Sequence, residues 1–266
     1  MPSLAVVGNL SRDLVDGGPP RVGGAPFHAS RALRVLGSPA LVAAKCAKAD
    51  RRALLPPLIA LGVPVLWRGG SSTATFSFRY EGDRRVMTVE ALGDPWTPAE
   101  VRGIGRARWA HVGALARSDF PAETLAELAR DRRVSLDGQG LVRPARTGPL
   151  KLDADYDPGV LRHVSVLKLA EEEAQVLVGE PREEALRSLG VPEVIVTLGS
   201  RGSLVLAEGR LERVGAVPVT GEIDPTGAGD AFAVAYLASR VSGHAPSASA
   251  RGASAVVAGL LERRLR

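Results

Sequence analysis

The chain has 266 residues, of which 45% are hydrophobic and 24% are charged, and this composition fits a globular protein with a sizeable core. Its net charge of +5 comes from residues scattered along the chain, without the zinc-finger spacing or the basic and aromatic alternation that indicate a nucleic-acid partner. No apolar run reaches the ~18 residues of a membrane span, and the single cysteine, Cys46, rules out a disulfide or a thiolate metal cluster within the chain. We therefore expect a cytoplasmic protein with no nucleic-acid or membrane partner.

Short apolar runs alternate with runs of helical spacing over most of the chain. The first run, 4–8, ends at a glycine and predicts a buried strand, and apolar residues at 29, 32, 33 and 36 predict a helix that ends at Gly37. Further strands are predicted at 41–45, 62–66, 109–112, 134–137, 164–168 and 194–198, and further helices at 51–62, 122–130, 169–178, 228–240 and 247–265. This alternation predicts an α/β fold with a right-handed, mostly parallel sheet and helices on both faces.

One segment departs from that alternation. Residues 73–80 alternate between polar and apolar side chains, residues 81–83 read as a turn, and residues 84–92 form a second β-rich run. We expect this hairpin to belong to a small sheet outside the main one.

The most informative stretch is Asp224-Pro225-Thr226-Gly227-Ala228-Gly229-Asp230-Ala231-Phe232, where a loop leads into an apolar helix. Gly227, Ala228 and Gly229 are small enough for a ligand to approach the backbone, and their N–H groups at a helix N-terminus would bind an anion. A carboxylate beside an anion site repels the anion, but Asp230 makes chemical sense if it takes a proton from a hydroxyl group that attacks phosphorus. The simpler alternative is a glycine turn that caps an ordinary helix.

This stretch resembles the second signature of the ribokinase-like (PfkB-type) carbohydrate kinase family, D-T-x-G-A-G-D, with Asp224, Thr226 and the G-A-G-D core in register. Gly23-Gly24, before a helix that ends in Leu36-Gly37, is similar to the family's first signature. Thr197, Gly199 and Gly202 match its T-x-G-x-x-G nucleotide loop, which a simple hairpin would also satisfy.

The resemblance implies a single ribokinase-like kinase domain over 1–266. Its fold has three layers, with a mostly parallel central sheet between helices and a small β lid formed mainly by about 73–92 and part of 10–24. The same resemblance implies a monomer, or a homodimer that pairs through the lid.

The resemblance also assigns roles to individual residues. Asp230 is the implied catalytic base, with Gly227, Ala228 and Gly229 stabilising the transferred phosphoryl group. Substrate binding is implied for Asp13, Gly23, Gly24, His28 and Asp230, and we expect Asp13 in a loop beyond the C-terminal end of the first strand. Nucleotide binding is implied for Lys168, Thr197, Gly199, Gly202, Thr226, Gly227 and Gly229, and magnesium binding for Glu173.

Three positions depart from the family pattern. His28 stands where asparagine is common, and it either donates to a substrate hydroxyl group or only packs. Ala170 stands where the N-x-x-E motif of the family has asparagine. Glu173 then either organises magnesium or is simply an acidic residue that the helix dipole favours in a first helical turn. Asp137-Gly138-Gln139 replaces D-x-N and resembles the inositol-kinase-like branch.

Arg201 lies within the predicted nucleotide loop, where it either meets phosphate or faces solvent.

We predict an ATP-dependent kinase that uses Mg²⁺ and phosphorylates a hydroxyl group of a small-molecule sugar or polyol, with inositol-like polyols included. The alternative is a non-catalytic ligand-binding or regulatory relative that kept the fold. A dinucleotide-dependent dehydrogenase is disfavoured, because no G-x-G-x-x-G follows the first strand.

Overall fold

The computed structural model describes residues 2–81, 84–221 and 223–264, and its strands form two sheets. The strands are β1 Leu4–Asn9, β2 Ser11–Val15, β3 Arg21–Gly23, β4 Ala40–Ala47, β5 Val65–Gly70, β6 Ala74–Glu81, β7 Arg84–Ala91, β8 Trp109–Gly113, β9 Arg133–Asp137, β10 Gly148–Pro149, β11 Val166–Ala170, β12 Glu193–Thr197, β13 Ser203–Ala207 and β14 Arg210–Val214. The α-helices are α1 Ala25–Leu36, α2 Arg51–Ile59, α3 Pro98–Arg102, α4 Ala122–Ala129, α5 Gln139–Val142, α6 Glu171–Val178, α7 Glu183–Arg187, α8 Ala228–Val241 and α9 Pro246–Arg264.

The larger sheet has the strand order β14-β13-β12-β11-β9-β8-β1-β4-β5. From β12 to β5 all neighbouring strands are parallel, whereas β13 and β14 are antiparallel at one edge. Strand β1 is buried along its whole length, as expected for a parallel strand covered on both faces. The predicted fold class is therefore confirmed. Strand β14 was not predicted, because its residues are mostly exposed and show no apolar run.

Helices cover both faces of this sheet. Residues of α1, α2, α8 and α9 pack with Val6 of β1 in the core on one face, and residues of α3 to α7 pack with Val7 in the core on the other. Alternating side chains of one strand thus serve two cores. None of the helices in the described ranges is long and apolar enough to cross a membrane.

The smaller sheet has the strand order β10-β7-β6-β2-β3. Strands β6 and β7 form the predicted hairpin, and β2 lies parallel to β6, so that segments from 10–24 and 73–92 share one sheet. Phe76, Phe78 and Val89 of this sheet are buried around Leu115. Residues 82–83 of the predicted turn and residue 265 of the predicted last helix lie outside the described residues. The role of the smaller sheet as a lid stays a prediction.

Candidate active site

The residue before α8 must be a glycine, because any side chain at this position would strain the backbone and clash with a neighbour. Gly227 precedes the helix with a φ of 76°, in the left-handed region, and a Cβ atom there would lie 2.4 Å from Cγ of His28. The loop before it is fixed by the Thr226 N–H group, which donates to Oδ1 of Asp224 at 2.9 Å. The two glycine-rich signatures thus meet, since His28 belongs to α1.

One backbone donor of this turn has a partner within the turn itself. The Ala228 N–H group donates to the carbonyl of Pro225 at 2.9 Å. The amides of Gly227 and Gly229 stand with it at the positive end of the helix dipole, where an anion is favoured. The roles of Gly227, Ala228 and Gly229 in stabilising a phosphoryl group stay predictions.

Asp230, in the first turn of α8, is half-buried and lies beside three buried charged side chains, Asp137, Lys168 and Glu173. We call these four residues the buried cluster. Nζ of Lys168 donates to Oδ2 of Asp137 at 3.2 Å, and both side chains are at most 4% exposed. The pairing of β9 with β11 sets Asp137 directly beside Lys168. The other oxygen of Asp137 accepts the Gln139 N–H group at 3.2 Å.

Burial and charge shift the protonation equilibria of the buried cluster. Burial, together with the Asp137 carboxylate, raises the pKa of Asp230 to about 7, although Lys168 and Arg143 act in the opposite direction. Burial also raises the pKa of Glu173, partly offset by Lys168. Burial alone would lower the pKa of Lys168, but the surrounding carboxylates raise it, so its side chain is an ammonium group at neutral pH. Asp230 is therefore poised to exchange a proton near neutrality.

Gly229 allows Lys168 to approach the turn. A Cβ atom at Gly229 would lie 2.9 Å from Nζ of Lys168. The ammonium group thus lies close to the backbone of Gly229, and it adds a fixed positive charge near the N-terminus of α8. This arrangement brings Lys168 to the predicted phosphate site.

Glu173 has a visible local function. Its Oε2 accepts the Ala170 N–H group at 2.7 Å, which caps α6, and the side chain is buried. The cap accounts for one carboxylate oxygen. Glu173 fits the predicted ion in the type of its donor, since Mg²⁺ prefers carboxylate oxygens. The charges of Lys168 and Arg143 act on Glu173 in the opposite sense, and its role in binding magnesium stays a prediction.

The predicted nucleotide loop follows β12. Thr197 donates from Oγ1 to the Leu169 carbonyl at 3.2 Å, and Gly199 and Gly202 both adopt positive φ, 59° and 92°. The Arg201 guanidinium pairs with the Glu171 carboxylate. Arg201 is thus held by an acidic partner in this structure, while the roles of Thr197, Gly199 and Gly202 in binding a nucleotide stay predictions.

A cavity of about 580 Å³ lies between the smaller sheet, α1 and the loop before α8, and Asp13, His28, Asp224 and Thr226 line it. Asp13 was expected in a loop, but it lies within β2, where Ser11 Oγ donates to its Oδ1 at 2.7 Å. The change has a simple reason: β2 continues almost directly from β1 and pairs with β6. The structure therefore brings two of the predicted substrate residues, Asp13 and His28, into one cavity.

Two further predicted substrate residues, Gly23 and Gly24, follow Val22, which lines the cavity, and lead into α1. A Cβ atom on Gly23 would lie 2.3 Å from Oδ2 of Asp13, and one on Gly24 would lie 2.3 Å from the Asn9 carbonyl. Both glycines are thus required by close approach of the protein to itself. Their contact with a substrate stays a prediction.

Sequence reasoning missed one polar residue of this region. His111 lies in β8, is fully buried, and shares the sheet level of Ser135 in β9. A histidine within an otherwise apolar strand is the signal that could have marked it.

Comparison with known proteins places this geometry in a family. A family model described as pfkB family carbohydrate kinase matches residues 21–264. The chain is 26% identical over 174 residues to ribokinase of Bacillus subtilis (strain 168), and this match covers 65% of the chain and 57% of that enzyme. The aligned part thus spans little more than half the length of this curated relative.

Solved structures show the same fold. A pyrophosphate-dependent kinase in the ribokinase family, complexed with a pyrophosphate analogue and myo-inositol, has a TM-score of 0.85 at 24% identity, over 97% of this chain and 95% of that chain. Arabidopsis thaliana ribokinase, complexed with ribose and ATP, has a TM-score of 0.74 at 20% identity, over 98% and 93% of the two chains. Both likenesses establish a ribokinase-type fold.

The family match covers most of the chain, and it contains both glycine signatures, at Gly23-Gly24 and at 224–230. Asp13 lies just before the matched range. The chain belongs to the pfkB family of carbohydrate kinases.

Proposed function

We propose that this protein transfers the terminal phosphoryl group of ATP to a hydroxyl group of a sugar or polyol. The observation that carries the proposal is the position of Asp230: a carboxyl group with a pKa of about 7, in the first turn of a helix whose glycine-rich N-terminus is suited to an anion. A site that only stores phosphate has no use for a carboxylate at this point, because like charges repel.

Asp230 acts as the general base in this mechanism. The acceptor lies in the cavity lined by Asp13 and His28, and its attacking hydroxyl group gives its proton to Asp230. The amides of Gly227 and Gly229 and the ammonium group of Lys168 offset the charge on the transferred phosphoryl group. Positioning and electrostatics supply most of the rate enhancement in reactions of this type.

Glu173 is proposed to hold Mg²⁺, directly or through water. When bound, the ion supplies charge neutralisation on the donor phosphates. In this proposal Glu173 both caps α6, through one carboxylate oxygen, and binds the ion. Lys168 balances part of its charge.

The phosphoryl donor has two candidates. ATP is the first, because Thr197, Gly199 and Gly202 match the T-x-G-x-x-G pattern and because the Arabidopsis ribokinase of similar fold is complexed with ATP. Pyrophosphate is the second, and the kinase of TM-score 0.85, described as pyrophosphate-dependent and complexed with myo-inositol, favours it. The same neighbour makes inositols a natural part of any acceptor panel.

The test is phosphoryl transfer from ATP or pyrophosphate, with Mg²⁺, to a panel of pentoses, hexoses, inositols and nucleosides. We expect one acceptor class to be phosphorylated, and we expect Asp230→Asn to lower kcat by roughly 10²- to 10⁴-fold, the range for loss of a general base. The exposed Asp131→Asn is the matched control and should leave kcat unchanged.

Full turnover by Asp230→Asn would remove Asp230 from the role of base. No transfer to any acceptor, together with saturable binding of a donor, would instead support the regulatory relative, and Ala170→Asn would then be the first reversion to test. Transfer from pyrophosphate but not from ATP would correct the donor and leave the role of Asp230 intact.

A further inference from the structure

Two polar side chains, His111 and Ser135, lie next to the buried cluster, on the strands that lead up to it. His111 of β8 is paired in register with Ser135 of β9, and Ser135 precedes Asp137 by two residues. Side chains two residues apart in a strand point to the same face, as do paired residues of neighbouring strands. His111, Ser135 and Asp137 therefore share the face of the sheet on which α8 packs.

One ring nitrogen of His111 is accounted for and the other is not. Nδ1 lies 3.3 Å from Oγ of Ser135. Nε2 is buried and has no hydrogen-bond partner among the residues that the structure describes. A buried polar atom without a partner is costly and uncommon in folded proteins, and it calls for an explanation.

The nearest acceptors are two carboxylates of the buried cluster. A ring nitrogen of His111 and one carboxylate oxygen from each of Asp137 and Asp230 all lie within 4.8 Å of one another. Asp137 already accepts hydrogen bonds from Lys168 and from the Gln139 N–H group. Asp230 is half-buried, and within the described ranges no protein hydrogen bond holds its carboxylate, so this carboxylate can accept a bond from His111.

The imidazole of His111 has the protonation state that such a bond needs. Burial, with a smaller contribution from Lys168, lowers the pKa of His111 to about 4, against an opposing effect of Asp137. The ring is therefore neutral and carries one proton. If the Ser135 hydroxyl group donates to Nδ1, that proton resides on Nε2, and Nε2 can donate but not accept.

We propose that His111 is a positioning residue for Asp230: Ser135 fixes the ring tautomer, and the Nε2–H group donates to the Asp230 carboxylate from the side of the sheet, opposite the acceptor. This inference rests on the proposed function, in which Asp230 is the base. A ring nitrogen of His111 lies within 4.8 Å of a carboxylate oxygen of Asp230, so rotation of the two side chains by about 2 Å would bring the groups to hydrogen-bond distance. The bond restricts the carboxylate to the orientation in which its other oxygen faces the acceptor hydroxyl group.

A divalent cation held by His111, Asp137 and Asp230 is the competing explanation for this geometry. It is disfavoured because the ammonium group of Lys168 already lies 3.2 Å from Asp137. A divalent charge at this point would be repelled by that ammonium group, and also by Arg143, whose charge acts on Asp230.

The first experiment reads the tautomer directly. The chain has four histidines, so ring ¹⁵N spectra of the whole protein can be assigned with single His→Gln variants. We expect the His111 ring to stay neutral between pH 5.5 and 8 and to carry its proton on Nε2. Its signals should disappear in His111→Gln. Protonation at Nδ1, a charged ring at pH 6, or a shift of the His111 signals on addition of Zn²⁺ or Mn²⁺ alone would overturn the proposal.

The second experiment separates positioning from packing. His111→Phe keeps the ring volume but removes both nitrogens, and we expect kcat to fall about 10- to 100-fold, the effect of losing a hydrogen bond to a charged group, while the acceptor KM changes less than about threefold. The thermal midpoint should stay or rise, because the unpartnered nitrogen is gone. His111→Gln, which retains an N–H donor, should recover most of kcat, and the exposed His244→Gln is the control.

Unchanged kcat in His111→Phe, or a loss of stability without recovery of kcat in His111→Gln, would show that His111 only packs. If the wild-type protein phosphorylates nothing, the proposed function fails on that ground alone. The tautomer measurement does not depend on turnover and still decides whether Ser135 fixes the His111 ring.

Discussion

The buried cluster and the cavity beside the smaller sheet differ in how deeply their charged side chains are buried. In the cluster, Lys168 and Asp137 are almost fully buried and paired at 3.2 Å. In the cavity, the lining includes Asp13, which is only partly buried, and Arg21, which is exposed. The difference teaches that Lys168 and Asp137 are held in place by each other without a ligand, whereas the side chains that line the cavity stay open to solvent. Variants in the two regions should therefore fail differently.

The largest expected effect comes from the cluster. Lys168→Met leaves the carboxylates of Asp137, Glu173 and Asp230 without their central cation, and we expect a loss of about 3–5 kcal/mol in the free energy of unfolding, as for other broken buried ion pairs. Urea unfolding at pH 8 measures it, with the exposed Lys151→Met as the control.

The loss in Lys168→Met should be smaller at pH 5. The pKa values of Glu173 and Asp230 are already raised, so these groups take up protons as the pH falls and less uncompensated charge stays buried. Equal stability of Lys168→Met and Lys151→Met at pH 8 would show that Lys168 does not stabilise the carboxylates of the cluster.

The cavity should respond in substrate binding instead of stability. Asp13→Asn removes a carboxylate that accepts from Ser11, and we expect the acceptor KM to rise about 10- to 100-fold, the range for a hydrogen bond to a charged group, with kcat reduced much less. Steady-state kinetics with the acceptor varied and the donor saturating give both constants. A fall in kcat alone would place Asp13 in the chemical step. The cavity and the cluster would then no longer differ in function.

One substitution at two glycines gives a sharper contrast. Gly229→Ala puts a Cβ atom 2.9 Å from Nζ of Lys168, and we expect it to destabilise the fold by about 1–3 kcal/mol and to weaken donor binding. Gly252→Ala in α9 meets nothing within 4 Å and should stabilise by about 0.4–1 kcal/mol. Thermal unfolding of both variants checks the opposite signs, and equal shifts would show that Lys168 yields to the methyl group.

These contrasts follow what the sequence could and could not predict. The stretch 224–232 and the apolar strands are local patterns, and they led to the correct fold class and family. The pair of Lys168 with Asp137 joins residues 31 positions apart through the register of β9 and β11, which no local pattern encodes. His111 carried a local signal, a histidine in an apolar strand, but its position beside Ser135 depends on the pairing of β8 with β9.

Two smaller features escaped the sequence for equally physical reasons. The Ala228 N–H group donates to the carbonyl of Pro225, a contact that depends on the geometry of the turn. Strand β14 has mostly exposed residues, and it forms because β13 offers it a pairing edge. In both places tertiary geometry decided what composition left open.

The most direct test of the cluster is the pH dependence of turnover. Asp230 must be ionised to accept a proton, and its pKa of about 7 means that the protonated form gains as the pH falls through neutrality. We expect kcat to be level above about pH 8 and to fall about tenfold for each pH unit below 7. The profile is measured from pH 5.5 to 9 with saturating substrates, and thermal midpoints at each pH exclude unfolding. Turnover that stays constant down to pH 5.5 would mean that Asp230 ionises like a solvent-exposed carboxyl group, and the burial that distinguishes the cluster from the cavity would then have no part in the chemistry.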